Sequence, residues 1–333
     1  MLRRAAAIGA LALIAVLAGG RGAAARGVEA PIPVVVSFSV LADWVRAIGA
    51  ERVAVTTLVG PGGDVHVFEP APRDVQAVQR ARLMFVNGYG LEGWLIRLIE
   101  ASRTKAELVE LAQGANLMPL SLTGTHGVAS AHHEQHAASG HGSTAGSSKA
   151  GSALVEPADP HAWQDVANAR VYVGNVTRSL CAIDTEGCPD YERRQAAYLA
   201  ELSDLDDWIR ASIARIPKSR RTVISAHAAF GYYSRAYGVQ FLAPLGISSD
   251  SDASAADVAR LIRRVRGLGA SAMFVETLSD TRLLEQVSRE TGMRLAGKLY
   301  ADTLSGADGP AASYLQMMRY NTQSIVSAVL GRP

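Results

Sequence analysis

The stretch "YERRQAAYLAELSDLDDWIRASIARIP" (residues 191–217) decides how the rest of the chain is read. From Tyr191, apolar residues recur at Tyr198, Leu202, Leu205, Ile209, Ile213 and Ile216, in steps of mostly three and four. That is the period of an amphipathic helix, and Pro217 ends it. At 1.5 Å per residue the segment forms a helix of about seven turns. It separates two stretches of similar pattern and therefore reads as a connecting rod between two lobes, which predicts limited lobe movement. The alternative is an ordinary packed helix inside one large domain.

Outward from that helix, short β-branched apolar runs alternate with helical patterns on both sides. Before it come "PVVVSF" (33–38), "VAVTTLV" (53–59), "LMFVN" (83–87) and "ELVEL" (107–111), with helices expected from Val40, Ala71 and Leu91. After it come "TVISA" (222–226), "VQFL" (239–242), "AMFVE" (272–276) and "RLAGKLY" (294–300), with helices expected near 229–236, 254–268, 280–291 and 311–330. Such alternation predicts an α/β chain with two parallel sheets, each flanked by helices. The expected organisation is an exported leader over 1–25, a first lobe over 26–188, a linking helix over 189–217 and a second lobe over 218–333.

The leader reading rests on Arg3 and Arg4, the apolar run Ala5–Ala18 and the small residues Ala23, Ala24 and Ala25. The run is shorter than the ~20 residues needed to cross a bilayer. No Cys follows it for lipid attachment, so the expected location is periplasmic, after cleavage near Ala25. An uncleaved anchor is the alternative. Cleavage there removes Arg3, Arg4 and Arg21, leaving 30 of the 33 basic side chains against 31 acidic ones. The basic balance thus belongs to the leader, and no argument for a nucleic-acid or anionic-membrane partner survives. The only cysteines, Cys181 and Cys188, are close enough to pair in an oxidising compartment and make a poor metal pair by spacing.

Five of the eight histidines, His126, His132, His133, His136 and His141, crowd into a Gly/Ser/Ala-rich insert over about 121–157. Its composition cannot bury enough apolar surface to offset the entropy of ordering, so it is expected to be unstructured. The other three lie at element ends. His66 follows a strand in "GPGGDVHVFEP", His161 opens a helix after Asp159-Pro160, and His227 follows the strand "TVISA". Asp302 follows the last strand, in "LYADTLS". Carboxyl ends of parallel strands are where open α/β sheets bind ligands. Three imidazoles and one carboxylate suit a divalent ion such as zinc. A solvated or hydrogen-bonded role for each histidine, and a helix cap for Asp302, stay open on spacing alone.

Taken in order, "GGDVHVFEP", "NGYGLEGWL" (87–95), "DPHAWQD", "SAHAAFGYY" and "LYADTLS" resemble the periplasmic metal-binding proteins of ABC transporters, the cluster 9 solute-binding proteins for zinc and manganese. The likeness covers nearly the whole mature chain and is nearest to the zinc branch. It implies a monomer whose metal sits in the cleft between two lobes, held by His66 and His161 from the first and His227 and Asp302 from the second. It also implies delivery of Zn²⁺ to a membrane permease with its ATPase, without catalysis. Manganese-type members generally carry a carboxylate where His227 stands, and a nitrogen donor there favours zinc. A histidine-rich insert between the first two ligands is also typical of zinc members, and its composition and position make it an expected accessory zinc collector; a plain flexible loop is the alternative. No family disulfide is implied at Cys181 and Cys188. Manganese or iron binding is the rival within this class. A secreted zinc hydrolase is the rival from another, but "HExxH" is missing, and Glu69 is the one nearby candidate base.

Overall fold

Strand β1 (Ile32–Phe38) carries four residues, Val34, Val35, Val36 and Phe38, that are almost wholly buried. A strand covered on both faces reads as a continuous β-branched run, as here. The computed structural model describes residues 30–120, 157–247, 255–277 and 281–331. The leader, 1–25, and nearly all of the histidine insert lie outside the described residues.

Around β1 the first sheet has the order β2-β1-β3-β4, with β2 (Val53–Val59), β3 (Leu83–Val86) and β4 (Glu107–Glu110) all parallel to their neighbours. Helix α1 (Ser39–Gly49) follows β1 without a break and buries Leu41, Trp44, Val45 and Ile48, one helical face. Helix α2 (Pro72–Arg80) opens with proline, and the Asp74 carboxylate accepts the Ala71 N–H at 2.8 Å. Helix α3 (Leu95–Ser102) follows β3.

The second half repeats the arrangement. Strands β5 (Thr222–Ile224), β6 (Gln240–Leu242), β7 (Ala272–Glu276) and β8 (Leu295–Leu299) form a parallel sheet of order β6-β5-β7-β8. In each sheet the first strand sits inside and the chain winds away from it in both directions. Helices α6 (Gly231–Tyr237), α7 (Ala255–Leu268), α8 (Thr281–Thr291) and α9 (Tyr314–Leu330) accompany it.

Between the sheets run α4 (Val166–Ile183) and α5 (Cys188–Ala214). Asp165 caps α4 by accepting the Ala167 N–H, and Val166, Val173 and Leu180 face inward. Helix α5, about 40 Å long by its 27 residues, buries Tyr191, Tyr198, Leu202, Leu205, Ile209 and Ile213. It packs along α4, α1 and α9, so it is both a link and a packed core helix. One hydrophobic cluster runs from Val34 to Val329 and takes in residues of both halves. A smaller one, with Ile224, Met273, Leu261 and Leu284, lies between the second sheet and α7 and α8. A shared core beneath the two sheets opposes a simple hinge between them.

A disulfide joins Cys181 near the end of α4 to Cys188 at the start of α5. Within the loop it closes, Asp184 takes a bidentate contact from Arg52 at 2.7 and 2.8 Å. It also accepts the Tyr191 hydroxyl at 2.6 Å and the Gly187 N–H at 2.9 Å. The Arg52 guanidinium holds the Asp184 carboxyl well below the usual carboxylate range.

Candidate metal centre

Every candidate ligand stands just past a strand or at a helix entrance, where the chain must leave regular structure. His66 lies in the loop after β2. Gly62 there has φ +77° and brings its N–H to Thr303 Oγ1 (2.8 Å) and the Leu304 carbonyl (3.2 Å). Asp64 accepts the His66 N–H at 2.9 Å, and the Val65 carbonyl accepts Trp94 Nε1–H at 2.8 Å.

Trp94 belongs to the loop "NGYGLEGW", which braces both first-lobe histidines. Gly88, Tyr89 and Gly90 have φ of +88°, +54° and +79°, a left-handed run that glycine makes accessible at two of its three positions. The buried Glu92 carboxylate gathers Ser37 Oγ–H (2.8 Å) and the N–H groups of Asn87 (2.7 Å) and Gly88 (3.2 Å). Burial pushes the Glu92 carboxyl up despite these bonds. Asn87 in turn donates to the Pro160 carbonyl at 3.0 Å, directly before His161.

His161 is fully buried. Its Nδ1 is 2.8 Å from Asp159 Oδ1, which also accepts the His161 N–H at 3.0 Å. Tyr232 from α6 donates to the Asp159 carbonyl at 2.6 Å. Asp165, four residues on, caps α4 and faces Arg235 at 3.5 Å.

His227 follows β5, and its Nδ1 is hydrogen-bonded to Glu276 Oε2 at the end of β7. Glu276 Oε1 accepts the N–H groups of Ala226 (2.8 Å) and His227 (3.2 Å). Sequence reasoning missed Glu276; the available signal was a carboxylate ending the otherwise apolar, buried run "AMFVE".

Asp302 follows β8, but the first lobe holds its flanks. The Ala301 carbonyl accepts Trp163 Nε1–H (3.0 Å) and Gln164 Nε2–H (2.9 Å), and the Leu304 N–H reaches Ser39 Oγ at 2.9 Å. Asp302 thus belongs to the second lobe by sequence and is positioned largely by the first.

The four side chains converge: one donor atom from each of His66, His161, His227 and Asp302 lies within 4.8 Å of all the others. Nε2 of His227, His161 and His66 stand 3.0, 3.5 and 3.5 Å from Asp302 carboxylate oxygens. These nitrogen–oxygen separations, spread over the two Asp302 oxygens, lie near the ~3.4 Å donor spacing of a zinc ion with bonds of about 2.0–2.1 Å. All three Nε2 atoms and Asp302 Oδ1 are buried without a hydrogen-bond partner among the described residues. One such atom costs about 1–3 kcal/mol, so four gathered in one place form a group that could hold an ion. The Nδ1 atoms of His161 and His227 face carboxylates, which only accept, so each neutral ring keeps its lone pair on Nε2. Burial favours neutral His227, but Glu276 and Asp302 outweigh it and raise its pKa well above the ordinary value. Burial would raise Asp302, and His227 and His161 hold it well below its ordinary range.

Glu69 is exposed and is not among the converging groups. His126, His132, His133, His136 and His141 lie outside the described residues. The two ends of their segment meet: the Leu120 N–H reaches the Pro157 carbonyl at 2.9 Å, and Pro119 bridges to Ala158. A cavity of ≈ 380 Å³ beside these ends is lined by His66, Tyr89, Leu120, Ala158 and Pro160, among others.

The protein family described as the periplasmic zinc-uptake complex component A, ZnuA, matches residues 34–328. The manganese-binding lipoprotein MntA of Halalkalibacterium halodurans is 30% identical over 95% of this chain and 96% of its own length. The iron ABC transporter substrate-binding lipoprotein MtsA of Streptococcus pyogenes serotype M1 is 27% identical over 88% of this chain and 87% of its own. Among solved structures, the periplasmic zinc-binding protein TroA from Treponema pallidum superposes with a TM-score of 0.75, at 26% identity over 90% of this chain and 99% of that one. A manganese-bound mutant of the periplasmic metal-binding protein from Candidatus Liberibacter asiaticus gives 0.74 at 25% identity, over 89% and 98%. With two parallel-sheet lobes and ordered similarity along nearly its whole length, the chain belongs to the ZnuA family of periplasmic metal-binding proteins of ABC transporters.

Proposed function

We propose that this protein captures Zn²⁺ in the periplasm through His66, His161, His227 and Asp302, and hands it to a membrane permease driven by its ATPase. The observation that carries the reading is the convergence of three unpartnered imidazole nitrogens and one ionised carboxylate within 4.8 Å of one another. Nitrogen-rich, four-donor sets suit zinc better than the oxygen-rich sets manganese takes. Four protein donors leave no coordination position for a reactive water, and Glu69 is exposed, so binding and release are the whole activity. The protein acts as a monomer, with lobes over 26–188 and 218–333 and the helix over 189–217 between them, after loss of the leader near Ala25.

Manganese or iron is the second reading, favoured by the names of MntA and MtsA. Chelator-competition titration of both metals into the metal-free protein, with and without residues 126–142, separates them. One tight zinc site and much weaker manganese binding in both forms supports the zinc reading. Tighter manganese binding sinks it. The histidines at 126–141 are proposed as a weak collector that raises the local zinc concentration beside the cleft. Their deletion then lowers stoichiometry or capture from scarce zinc and leaves the tight site intact; loss of tight binding refutes that role.

A further inference from the structure

Two carboxylates face the outward nitrogens of buried histidines at this centre, and they do so differently. Asp159 uses one oxygen, Oδ1, for both the backbone N–H and the ring of His161, and its Oδ2 has no hydrogen-bond partner among the described residues. Glu276 divides its oxygens: Oε1 takes two backbone N–H groups, those of Ala226 and His227, and Oε2 takes the His227 ring. The mounting of His227 also lies wholly in the second lobe, where Ala228 N–H bonds Gly246 and Leu245 N–H bonds Ala226. The other three donors are braced by groups of the first lobe.

We propose that Glu276 is the positioning residue that makes His227 a metal ligand. Its two oxygens are committed to the backbone and to the imidazole, which fixes the ring proton on Nδ1 and leaves only Nε2 to the cleft. What matters for the ring proton is that both of its outer atoms accept.

Glutamine at this place has nearly the same shape but one donor end. Its carbonyl must stay with the two backbone N–H groups, because an NH₂ there would meet two donors at once. The NH₂ therefore faces His227 Nδ1, which can receive it only as an acceptor. The ring proton moves to Nε2, and the nitrogen aimed at the cleft loses its lone pair. Asparagine at position 159 has no such effect, since its carbonyl can serve both the backbone and the ring while the NH₂ takes the place of the unpartnered Oδ2.

The proposal rests on the metal-site reading above, and the test separates the two. Two-bond ¹H–¹⁵N spectra of ¹⁵N-histidine-labelled, metal-free full chain, taken at alkaline pH where the rings are neutral, assign each ring tautomer, with His227 identified by difference against His227→Ala. Chelator competition with Zn²⁺ alone gives affinity for the same proteins. In Glu276→Gln the His227 proton is expected on Nε2, with zinc affinity about 10–100-fold weaker. Glu276→Asp keeps two accepting oxygens, so it retains the Nδ1 proton and recovers affinity relative to the glutamine variant. Asp159→Asn keeps the His161 proton on Nδ1. A Glu276→Gln protein that keeps the Nδ1 proton or binds zinc within about threefold of the parent overturns the proposal. So do equal losses in the Asp and Gln variants. If instead His66→Ala and His227→Ala both bind zinc as the parent does, it is the metal-site reading that fails.

Discussion

Truncating His227 and truncating His66 should have the same consequence for zinc and unequal consequences for the empty protein. Four-ligand structural zinc sites bind with about 10–16 kcal/mol, so one donor in four carries about 2.5–4 kcal/mol, or about 10²–10³ in affinity. Both alanine variants should therefore weaken zinc binding by that factor. The metal-free states differ because the two rings differ in what else they do. His227 satisfies Glu276 Oε2 and lies 3.0 Å from Asp302 Oδ2, both buried. Removing it strands the buried Glu276 Oε2, so metal-free stability falls by about 1–3 kcal/mol. His66 Nε2 has no partner to strand, and the loop around it is held through backbone groups and Trp94. Its removal should cost less than about 1 kcal/mol without metal. Chelator competition measures the first quantity, and thermal unfolding in excess chelator the second. A His227→Ala protein that binds zinc within about fivefold of the parent refutes the four-donor site. Equal shifts in melting temperature for the two variants refute the partner assignment.

The disulfide lies away from the cleft, so replacing Cys181 and Cys188 together by serine should lower stability and leave zinc affinity unchanged. Loop-closure entropy for a bridge of separation 7 gives about 2 kcal/mol, read from denaturant unfolding. The depressed Asp184 carboxyl contributes stability that is fully present above its unfolded value of about 4 and lost as pH falls further. Asp184→Asn should destabilise the protein at pH 7 and flatten the acid limb of its stability–pH curve; an unchanged acid limb refutes the assignment.

Much of the architecture is local information. Buried strands such as "VVVSF" and "AMFVE" are apolar throughout because parallel strands are covered on both faces, and the 191–217 helix shows its buried stripe in its own period. The positions of His66, His161, His227 and Asp302 at element ends were legible for the same reason, since turns and caps have local signatures. Which lobe holds Asp302 was not, because Trp163, Gln164 and Ser39 reach its neighbours across 137 to 265 residues of chain. Nor was Glu276, a carboxylate 49 residues from the imidazole it orients. Sequence alone determined the two sheets, the helix between them and the residue types able to take a metal. Tertiary structure decided that four donor atoms point at one place and which nitrogen each buried ring offers, because those depend on hydrogen bonds between segments that meet only in the folded chain.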